Sequence, residues 1–404
     1  TLSHPGYRLL WWSNGTNTTG RWLFKVSIGW LTWELTGSPA WLGVVAFADT
    51  IPMVFMTIIA GVWADRLGSL RIMKISQFLM AAGGIIAAIL ALSDLLDIYF
   101  IILLSVLIGS ADATTTPARI SFVHHLVPKD DLSAAIALNS ATYNLARFLG
   151  PALFGVFFQL INLPAIIAIS AIMFSIFYIS LFFQKPDHRD HARDDKSNLI
   201  VELKKGFQYA YTNNGIFFLL FLLSMTAILM RPYIDLVPGI SDEIFKMGAE
   251  GLSILLSATG LGAMFGGFWL ARRGKTQGLT KVFTWSLLIS AITMLLFLVS
   301  ENIWFGAVLI AIVGMTVVAG SITAQTLIQN AVDPEVRARV ISITAVLSWG
   351  LPAIGAFLMG WIAEFIGLSI TLASGAILGV FVWFWGHKMG ARLQLTLEKG
   401  NISS

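Results

Sequence analysis

The stretch Gly61-Val62-Trp63-Ala64-Asp65-Arg66-Leu67-Gly68 decides the fold, because it returns 206 residues later as Gly267-Phe268-Trp269-Leu270-Ala271-Arg272-Arg273-Gly274. The two glycines, the tryptophan and one arginine coincide between the copies. A second correspondence, offset by 205 residues, relates Gly150 and Gly155 to Gly355 and Gly360. Similarity that returns after half the chain length indicates a duplicated chain whose halves share direction and topology.

The composition places both halves in a membrane. Hydrophobic residues make up 56% of the chain and charged residues only 12%, whereas a soluble domain carries about 25% charged residues. A membrane-spanning helix needs roughly 20 apolar residues. The strict alternation of apolar and polar residues that marks barrel strands is missing. The sequence therefore predicts an all-α membrane protein.

Short polar turns divide the apolar stretches into twelve predicted membrane spans. They lie near residues 8–35, 40–63, 71–93, 98–122, 134–160, 163–184, 215–240, 249–271, 279–299, 302–328, 338–362 and 366–387.

The basic residues support an even number of spans. With both termini in the cytoplasm, 21 of the 26 lysines and arginines fall on the inner side and only Lys246 falls in an outer loop. The remaining four, Arg21, Lys25, Arg147 and Arg231, lie within spans. This is the positive-inside pattern, which an odd number of spans would destroy.

A polar segment near the middle separates the halves. We expect an N-terminal six-helix bundle at 1–184, a cytoplasmic linker with a surface helix at 185–213, and a C-terminal six-helix bundle at 214–404. The surface helix is predicted over 199–211, where Leu199, Leu203, Phe207 and Tyr211 recur at helical spacing.

Several kinds of chemistry are not expected. The chain has no cysteine, so we predict no thiolate chemistry, and because His124 and His125 lie at a cytoplasmic helix end we also predict no metal site. We expect no cofactor. The net charge of +4 follows the membrane topology and does not indicate nucleic-acid binding. The glycine-rich stretch 260–266 lies inside a span without a preceding strand, so it predicts helix packing instead of a dinucleotide site. We expect no enzyme activity.

The loop between spans two and three carries a family resemblance. Gly61-x-x-x-Asp65-Arg66-x-Gly68-x-x-Arg71 resembles the signature loop of the major facilitator superfamily. Other segments, including Leu35-Thr36-Gly37-Ser38-Pro39 and Asn144-Leu145-Ala146-Arg147-Phe148-Leu149-Gly150-Pro151, resemble the bacterial subfamily that contains the enterobactin exporter and macrolide-efflux proteins. The resemblance covers nearly the whole chain and implies the major facilitator fold.

The resemblance also implies roles for two motifs. A cluster of charged residues at this loop would lock the two halves together. The alternative is a solvated loop that only follows the positive-inside pattern. The loop residues concerned are Gly61, Asp65, Arg66, Gly68, Arg71 and Arg119. Gly150 and Pro151 match the fifth-span motif of exporters, where helix packing alone is an equal explanation.

Charged side chains inside spans are the candidate functional residues, because burying a charge in a bilayer costs about 2.5–3.5 kcal/mol on insertion scales. Asp112 and Asp49 are predicted to bind protons, with Arg21 or Lys25 as the counter-ion. Carboxylates that move between desolvated and cation-paired surroundings change their proton affinity. A static ion pair that fixes helix packing is the alternative.

In the major facilitator fold the first, fourth, seventh and tenth spans line a central cavity. The resemblance therefore places Arg21, Lys25, Asp112, Arg231 and Asp235 along a substrate path. Arg147 and Asn144 in span five are further candidates to act as a counter-ion or to contact the substrate. The number of cations favours an anionic or catecholate-like substrate.

These observations predict a bacterial inner-membrane exporter of a drug-like compound or siderophore, working by alternating access and proton antiport. Its expected partners are a small-molecule substrate, protons and membrane lipids, and we expect a monomer. A lipid or lysolipid flippase, or an uncoupled facilitator of the same fold, remains an alternative.

Overall fold

A computed structural model describes residues 1–185 and 199–399, and the described part is built from helices. Two short 3-10 turns, Lys129–Asp131 and Leu181–Phe183, flank longer elements. The helices are α1 (Pro5–Thr36), α2 (Pro39–Leu67), α3 (Ser69–Leu92), α4 (Ile98–Leu126), α5 (Leu132–Leu160), α6 (Leu163–Ser180), α7 (Leu199–Thr212), α8 (Asn214–Leu229), α9 (Tyr233–Glu243), α10 (Gly248–Arg273), α11 (Leu279–Leu298), α12 (Ile303–Ala331), α13 (Arg337–Ile366) and α14 (Leu368–Lys399).

Within these described ranges, ten helical segments are long and apolar enough to cross a membrane, with α8 and α9 counted together as one. The helices α1 and α5 are 32 and 29 residues long, but they are not among the ten. Both carry polar side chains in their central turns, among them Asn17 and Arg21 on α1 and Asn144 and Arg147 on α5. Two helices that carry candidate functional residues, α1 and α5, thus lack an apolar stretch as pronounced as those of the other predicted spans.

The predicted seventh span, 215–240, is interrupted in the structure. α8 ends at Leu229 and α9 begins at Tyr233, and Pro232 lies between them. Proline has no amide hydrogen and cannot donate to the carbonyl four residues earlier, which belongs to Ile228. The chain therefore changes direction at Arg231, which leaves this cation at a helix break.

The helices form two compact units. The first contains α1 to α6 together with Met247–Ser257, and the second contains α7 to α9 together with the chain from Ala258 onward. In the first unit α1 packs on α5 and α6, and α2 packs on α4. Tyr7, Met73, Phe122 and Phe177 lie in one of its buried clusters, each at most 1% exposed.

In the second unit, α11 packs on α12 and α14, while α7 packs on α8 and α13. α14 is longer than the predicted span 366–387, because it continues to Lys399. Its last turn returns to α11, where Glu398 accepts hydrogen bonds from the amides of Gly278 and Thr280 at 2.6 and 3.0 Å.

Large apolar side chains cover much of the outer surface of each unit. Phe183 in the first unit is 74% exposed, and Phe365 in the second is 78% exposed. Apolar exposure on this scale is unusual for a soluble monomer. It is the surface expected of helices that face lipid.

Candidate functional site

Three helices of the first unit bring three charged side chains together. Arg21 on α1 donates from Nη2 to Oδ1 of Asp49 on α2 at 2.6 Å. It also donates from Nε to Oδ2 of Asp112 on α4 at 3.3 Å. The sequence offered Arg21 or Lys25 as the counter-ion, and Arg21 is the residue that contacts both carboxylates.

The two carboxylates differ in exposure. The Asp49 side chain is 12% exposed and the Asp112 side chain is 38% exposed. Arg21, at 14% exposed, lies between them. Asp112 is therefore the member of the triad least covered by other protein groups, whereas Asp49 is enclosed against the arginine.

A glycine allows this arrangement. At Gly109, one turn before Asp112, a Cβ atom would collide with the backbone carbonyl oxygen of Asp49. The absence of a side chain lets α4 approach the backbone of α2 directly, as small residues do at membrane helix interfaces. The resulting contact places Asp112 and Asp49 within reach of one guanidinium.

A second arginine interacts electrostatically with Asp112. Arg119 lies two turns further along α4, within electrostatic range of Asp112 and of Tyr7. Its Nε is buried and finds no hydrogen-bond partner among the described residues. The Tyr7 hydroxyl donates to the carbonyl of Ala135 at 3.1 Å. Asp112 is therefore attracted to two cations, and Arg119 belongs to the electrostatic surroundings of the triad.

A cluster of two cations around one indole lies beside the triad. Lys25 Nζ lies 5.9 Å from the ring centroid of Trp22, and Cζ of Arg147 on α5 lies 5.8 Å from it. Tyr143 meets the same indole edge to face at 6.1 Å. At Gly150, one turn after Arg147, a Cβ atom would collide with Trp22. The close approach of α5 to α1 thus sets the positions of these groups.

The energetics of this cluster differ from those of the triad. Two unit charges that both lie within 6 Å of one centroid are no more than roughly 12 Å apart, and they repel by at least about 1.4 kcal/mol at an effective dielectric constant of 20. A single cation–π contact contributes about 0.5–2 kcal/mol. The contacts of the indole with both cations therefore help to hold Lys25 and Arg147 in place.

The second unit repeats part of this geometry. A Cβ atom on Gly355, the repeat partner of Gly150, would lie 2.8 Å from the carbonyl oxygen of Ile228, and Ile228 corresponds to Trp22 at the offset of 206. Arg231, the repeat partner of Lys25, donates to the carbonyl of Ser348 at 2.7 Å and lies 5.9 Å from the Trp349 ring. Asp235 lies one turn later on α9.

The remaining predicted residues are placed as follows. Arg66 and Arg71 are exposed, and Gly68 precedes α3 with a φ of +84° that favours glycine. Gly61 and the side chain of Asp65 lie outside what the structure describes, as do residues 186–198 of the central linker. Asn144 donates to the carbonyl of Ser140 one turn earlier at 2.9 Å. Pro151 lies inside α5 without ending it.

Sequence reasoning missed Trp22, Gly109 and Tyr143. Trp22 directly follows Arg21 and precedes Lys25 by three residues, which places it beside Lys25 on the helix surface. That spacing was visible in the sequence. The contact between Gly109 and the Asp49 carbonyl depends on how α2 and α4 pack, and no local pattern indicated it.

Comparison with known proteins agrees with this architecture. Residues 1–398 match the transmembrane secretion effector family of the major facilitator superfamily. The staphyloferrin A transporter of Staphylococcus aureus is 24% identical over 393 residues, covering 95% of this chain and 96% of that protein. Macrolide efflux protein A of Streptococcus pyogenes is 25% identical over 351 residues, or 86% of each chain.

A solved structure shows the same fold. The crystal structure of the nucleoside transporter NupG aligns with a TM-score of 0.73 at 16% identity, covering 95% of this chain and 99% of that one. At such low identity the likeness concerns the fold alone. The family match spans nearly the whole chain, so this protein belongs to the transmembrane secretion effector family and is a multi-pass membrane transporter of small molecules, not an enzyme.

Proposed function

We propose that this transporter exports a small molecule across a bacterial inner membrane by alternating access, in exchange for protons. Two relatives that match most of the chain are a siderophore transporter and a macrolide efflux protein by name, which supports export of a siderophore or drug-like compound. The proposed topology has twelve spans in two six-helix bundles, with both termini cytoplasmic. In it, α1 and α5 span the membrane together with the ten more hydrophobic segments.

The observation that carries the proposal is the contact of Arg21 with both Asp49 and Asp112. The triad itself, one arginine between two carboxylates, carries one negative charge in excess, and the nearby cation Arg119 offsets that charge. A proton on Asp112 would weaken its attraction to Arg21, while Asp49 at 2.6 Å would keep the arginine in place. Asp112 is the proposed proton carrier because it is the more exposed carboxylate.

Proton binding at Asp112 would alter the balance of charges between helices. Asp112 lies on α4, Arg21 on α1 and Arg119 on α4 itself. Neutralising the carboxylate removes the attraction that joins α4 to α1 and leaves Arg21 and Arg119 facing a neutral group. A change in helix contacts that depends on protonation is the link that antiport requires.

The loop residues and two charged residues of the second unit have supporting roles in this proposal. Gly61, Asp65, Arg66, Gly68 and Arg71, with Arg119, would form the gate of the first half. Arg231 and Asp235, at the break between α8 and α9, would contact substrate from the second half. Broken helices at equivalent places in transporters commonly line binding sites.

Transport by the purified protein in proteoliposomes tests the proposal. Erythromycin and staphyloferrin A serve as the two candidate substrates, and an imposed pH gradient drives their accumulation. We expect the gradient to stimulate transport of one of them and Asp112→Asn to abolish that stimulation, a loss of about tenfold or more. Asp94→Asn, in an exposed turn with a left-handed backbone that asparagine tolerates, is the matched control and retains transport.

Two outcomes would contradict the proposal. Equal transport with and without the gradient would identify an uncoupled facilitator. Movement of a fluorescent lysolipid, without movement of either soluble substrate, would identify a flippase.

A further inference from the structure

Three aromatic rings lie in a row on the surface of the first unit, where α3 packs on α6 and on the 3-10 turn that follows it. The ring of Phe78 on α3 lies 5.7 Å from that of Tyr178 on α6, and the Tyr178 ring lies 5.2 Å from that of Phe182. Phe78 and Phe182 are 53% and 57% exposed. Exposed aromatic rings near helix ends are typical of the boundary between lipid tails and headgroups.

A lysine completes this row. Lys74 precedes Phe78 by one turn of α3, and its Nζ lies 4.6 Å from the ring centroid of Phe182. It forms no hydrogen bond or salt bridge with any other residue that the structure describes. An ammonium group has three N–H donors, and an aromatic face covers only one side of it. The remaining donors are therefore available to an anion from outside the protein.

The second unit carries a similar row on α11 and α14. The rings of Trp285 and Trp383 lie 5.4 Å apart, and His387 stacks on Trp383 at 5.2 Å. Lys281 is exposed and precedes Trp285 by one turn, as Lys74 precedes Phe78 in the first unit. Nearby Glu398 gives its carboxylate to two backbone amides and forms no salt bridge with this lysine.

The two rows occupy equivalent places in the duplicated chain. All four positions of one row return in the other within one residue of the 206-residue repeat. The pairs are Lys74 and Lys281, Phe78 and Trp285, Tyr178 and Trp383, and Phe182 and His387. Exposed side chains contribute little to the packing of a core, so their recurrence in both halves indicates contact with the same surroundings, which are those of the membrane.

The chemistry of the rows selects one class of lipid. A soluble anion would use the lysine but leave the apolar rings without a partner. A zwitterionic lipid brings its own ammonium or choline group, which competes with the lysine for the lipid phosphate. A phospholipid with a net negative headgroup satisfies both parts, because its phosphate meets the lysine while its acyl chain covers the rings. Basic residues between membrane helices commonly recognise such headgroups.

We propose that each row binds one anionic phospholipid, with its phosphate on Lys74 or Lys281 and an acyl chain along the aromatic rings. The proposed topology places both rows in the cytoplasmic leaflet, where anionic lipids attract basic residues. Two further exposed cations flank the first row, Arg71 one turn before Lys74 and Lys185 three residues after Phe182. These sites go beyond the export function, since the lipid binds the outer surface of the helices and is not transported.

Native mass spectrometry of the purified protein in detergent tests this inference. The probes are phosphatidylglycerol and phosphatidylcholine with identical acyl chains, and glycerol 3-phosphate, which has the charge without the chains. We expect two phosphatidylglycerol molecules to bind per protein, about tenfold more tightly than phosphatidylcholine, and glycerol 3-phosphate to fail. Lys74→Gln and Lys281→Gln should each weaken one of the two binding events by about fivefold, the usual effect of one basic residue near an anionic headgroup.

Four controls separate a built site from a general attraction to positive charge. Lys129→Gln removes an exposed cation of the first unit and should leave phosphatidylglycerol binding unchanged. Lys74→Arg keeps the charge and should recover most of the affinity lost in Lys74→Gln. Phe182→Leu keeps an apolar surface without the ring beneath the ammonium and should weaken binding by about twofold. The melting temperature of each lipid-free variant shows that it is folded.

Either of two results would overturn the inference. The first is equal binding of phosphatidylglycerol and phosphatidylcholine to the wild-type protein. The second is equal phosphatidylglycerol binding by the Lys74→Gln/Lys281→Gln double variant and by Lys129→Gln. Neither measurement involves a transported substrate or a proton gradient, so a failure here leaves the proposed export function standing, and a failure of proton-driven export leaves the lipid sites standing.

Discussion

Arg21 and Asp49 form an enclosed ion pair, with Nη2 and Oδ1 2.6 Å apart and both side chains less than 15% exposed. An ion pair this enclosed joins α1 to α2 irrespective of any role in transport. Removing one member leaves a buried charge without compensation, which typically costs about 3–5 kcal/mol. We therefore expect substitutions of this pair to lower the stability of the fold, an effect that can be measured independently of transport.

We expect Arg21→Gln to lower the stability of the protein strongly and Asp49→Asn, added in the same chain, to restore part of the loss. The second substitution removes the charge that the first left uncompensated, so the two effects are not additive, with a coupling of about 1–3 kcal/mol. Thermal unfolding in detergent measures each single variant and the double variant. Arg8→Gln, at an exposed arginine of α1, is the control and should change little. Additive losses would mean that Arg21 and Asp49 do not depend on each other.

The contact at Gly109 gives a second prediction. Replacement by alanine would drive a Cβ atom into the carbonyl of Asp49 and separate α4 from α2, at a cost of about 1–3 kcal/mol for overpacking. Gly109→Ala should therefore lower the melting temperature and reduce transport, because Asp112 moves away from Arg21. Gly15→Ala on α1 is the matched control, since its nearest side-chain atom lies at an ordinary 3.4 Å. If Gly109→Ala proved as stable and active as Gly15→Ala, the close approach would not govern the site.

The helices could be predicted from the sequence because hydropathy is a local property. The predicted spans near 98–122 and 249–271 fall within α4 and α10, and the ends differ by a few residues. The helix break at Arg231 could not be predicted in this way. Pro232 is visible in the sequence, but many membrane helices continue through a proline. In the structure, the break coincides with the close approach of Gly355 to Ile228 and Pro232, a contact that the local sequence does not indicate.

The partners of the charged residues could not be predicted in the same way. Arg21 and Lys25 lie one turn apart on α1, so periodicity offered either as a counter-ion. The distance from α2 and α4 decides between them, and that distance depends on Gly109. Lys25 lies over Trp22, three residues earlier on the same helix, and Gly150 brings Arg147 of α5 to that indole. The contacts of Arg21 and the approach of Arg147 follow from helix contacts between residues far apart in sequence.

The helix α7 is tied to the second unit by a tyrosine. The Tyr209 hydroxyl donates to Oδ2 of Asp333 at 3.0 Å, in the turn between α12 and α13. Burial raises the pKa of Tyr209, so the neutral phenol is favoured in the folded protein. Its contribution is complete below about pH 10, the ordinary value for tyrosine, and is lost as the pH rises through the raised pKa.

We expect Tyr209→Phe to loosen α7 by about 1 kcal/mol, the usual net value of one hydrogen bond. Hydrogen exchange of the α7 amides should then accelerate by about fivefold, with no pH dependence of the protection between about pH 6 and 9 beyond intrinsic exchange. Tyr211→Phe is the control, because Tyr211 is 77% exposed and its ring contact with Phe217 survives the change. Identical hydrogen exchange in the two variants would show that the Tyr209 hydroxyl does not hold α7 in place.

Glu398 provides the last prediction, since its carboxylate accepts from two backbone amides at the start of α11. The first amides of a helix have no partner within it, and a carboxylate there also meets the favourable helix dipole. Glu398→Ala should cost about 1–2 kcal/mol and speed exchange in the first turn of α11. Glu398→Gln, which keeps a neutral acceptor, should cost less. Glu301→Ala, at an exposed carboxylate, should leave α11 unchanged. Equal exchange in Glu398→Ala and Glu301→Ala would show that the first turn of α11 does not need this carboxylate.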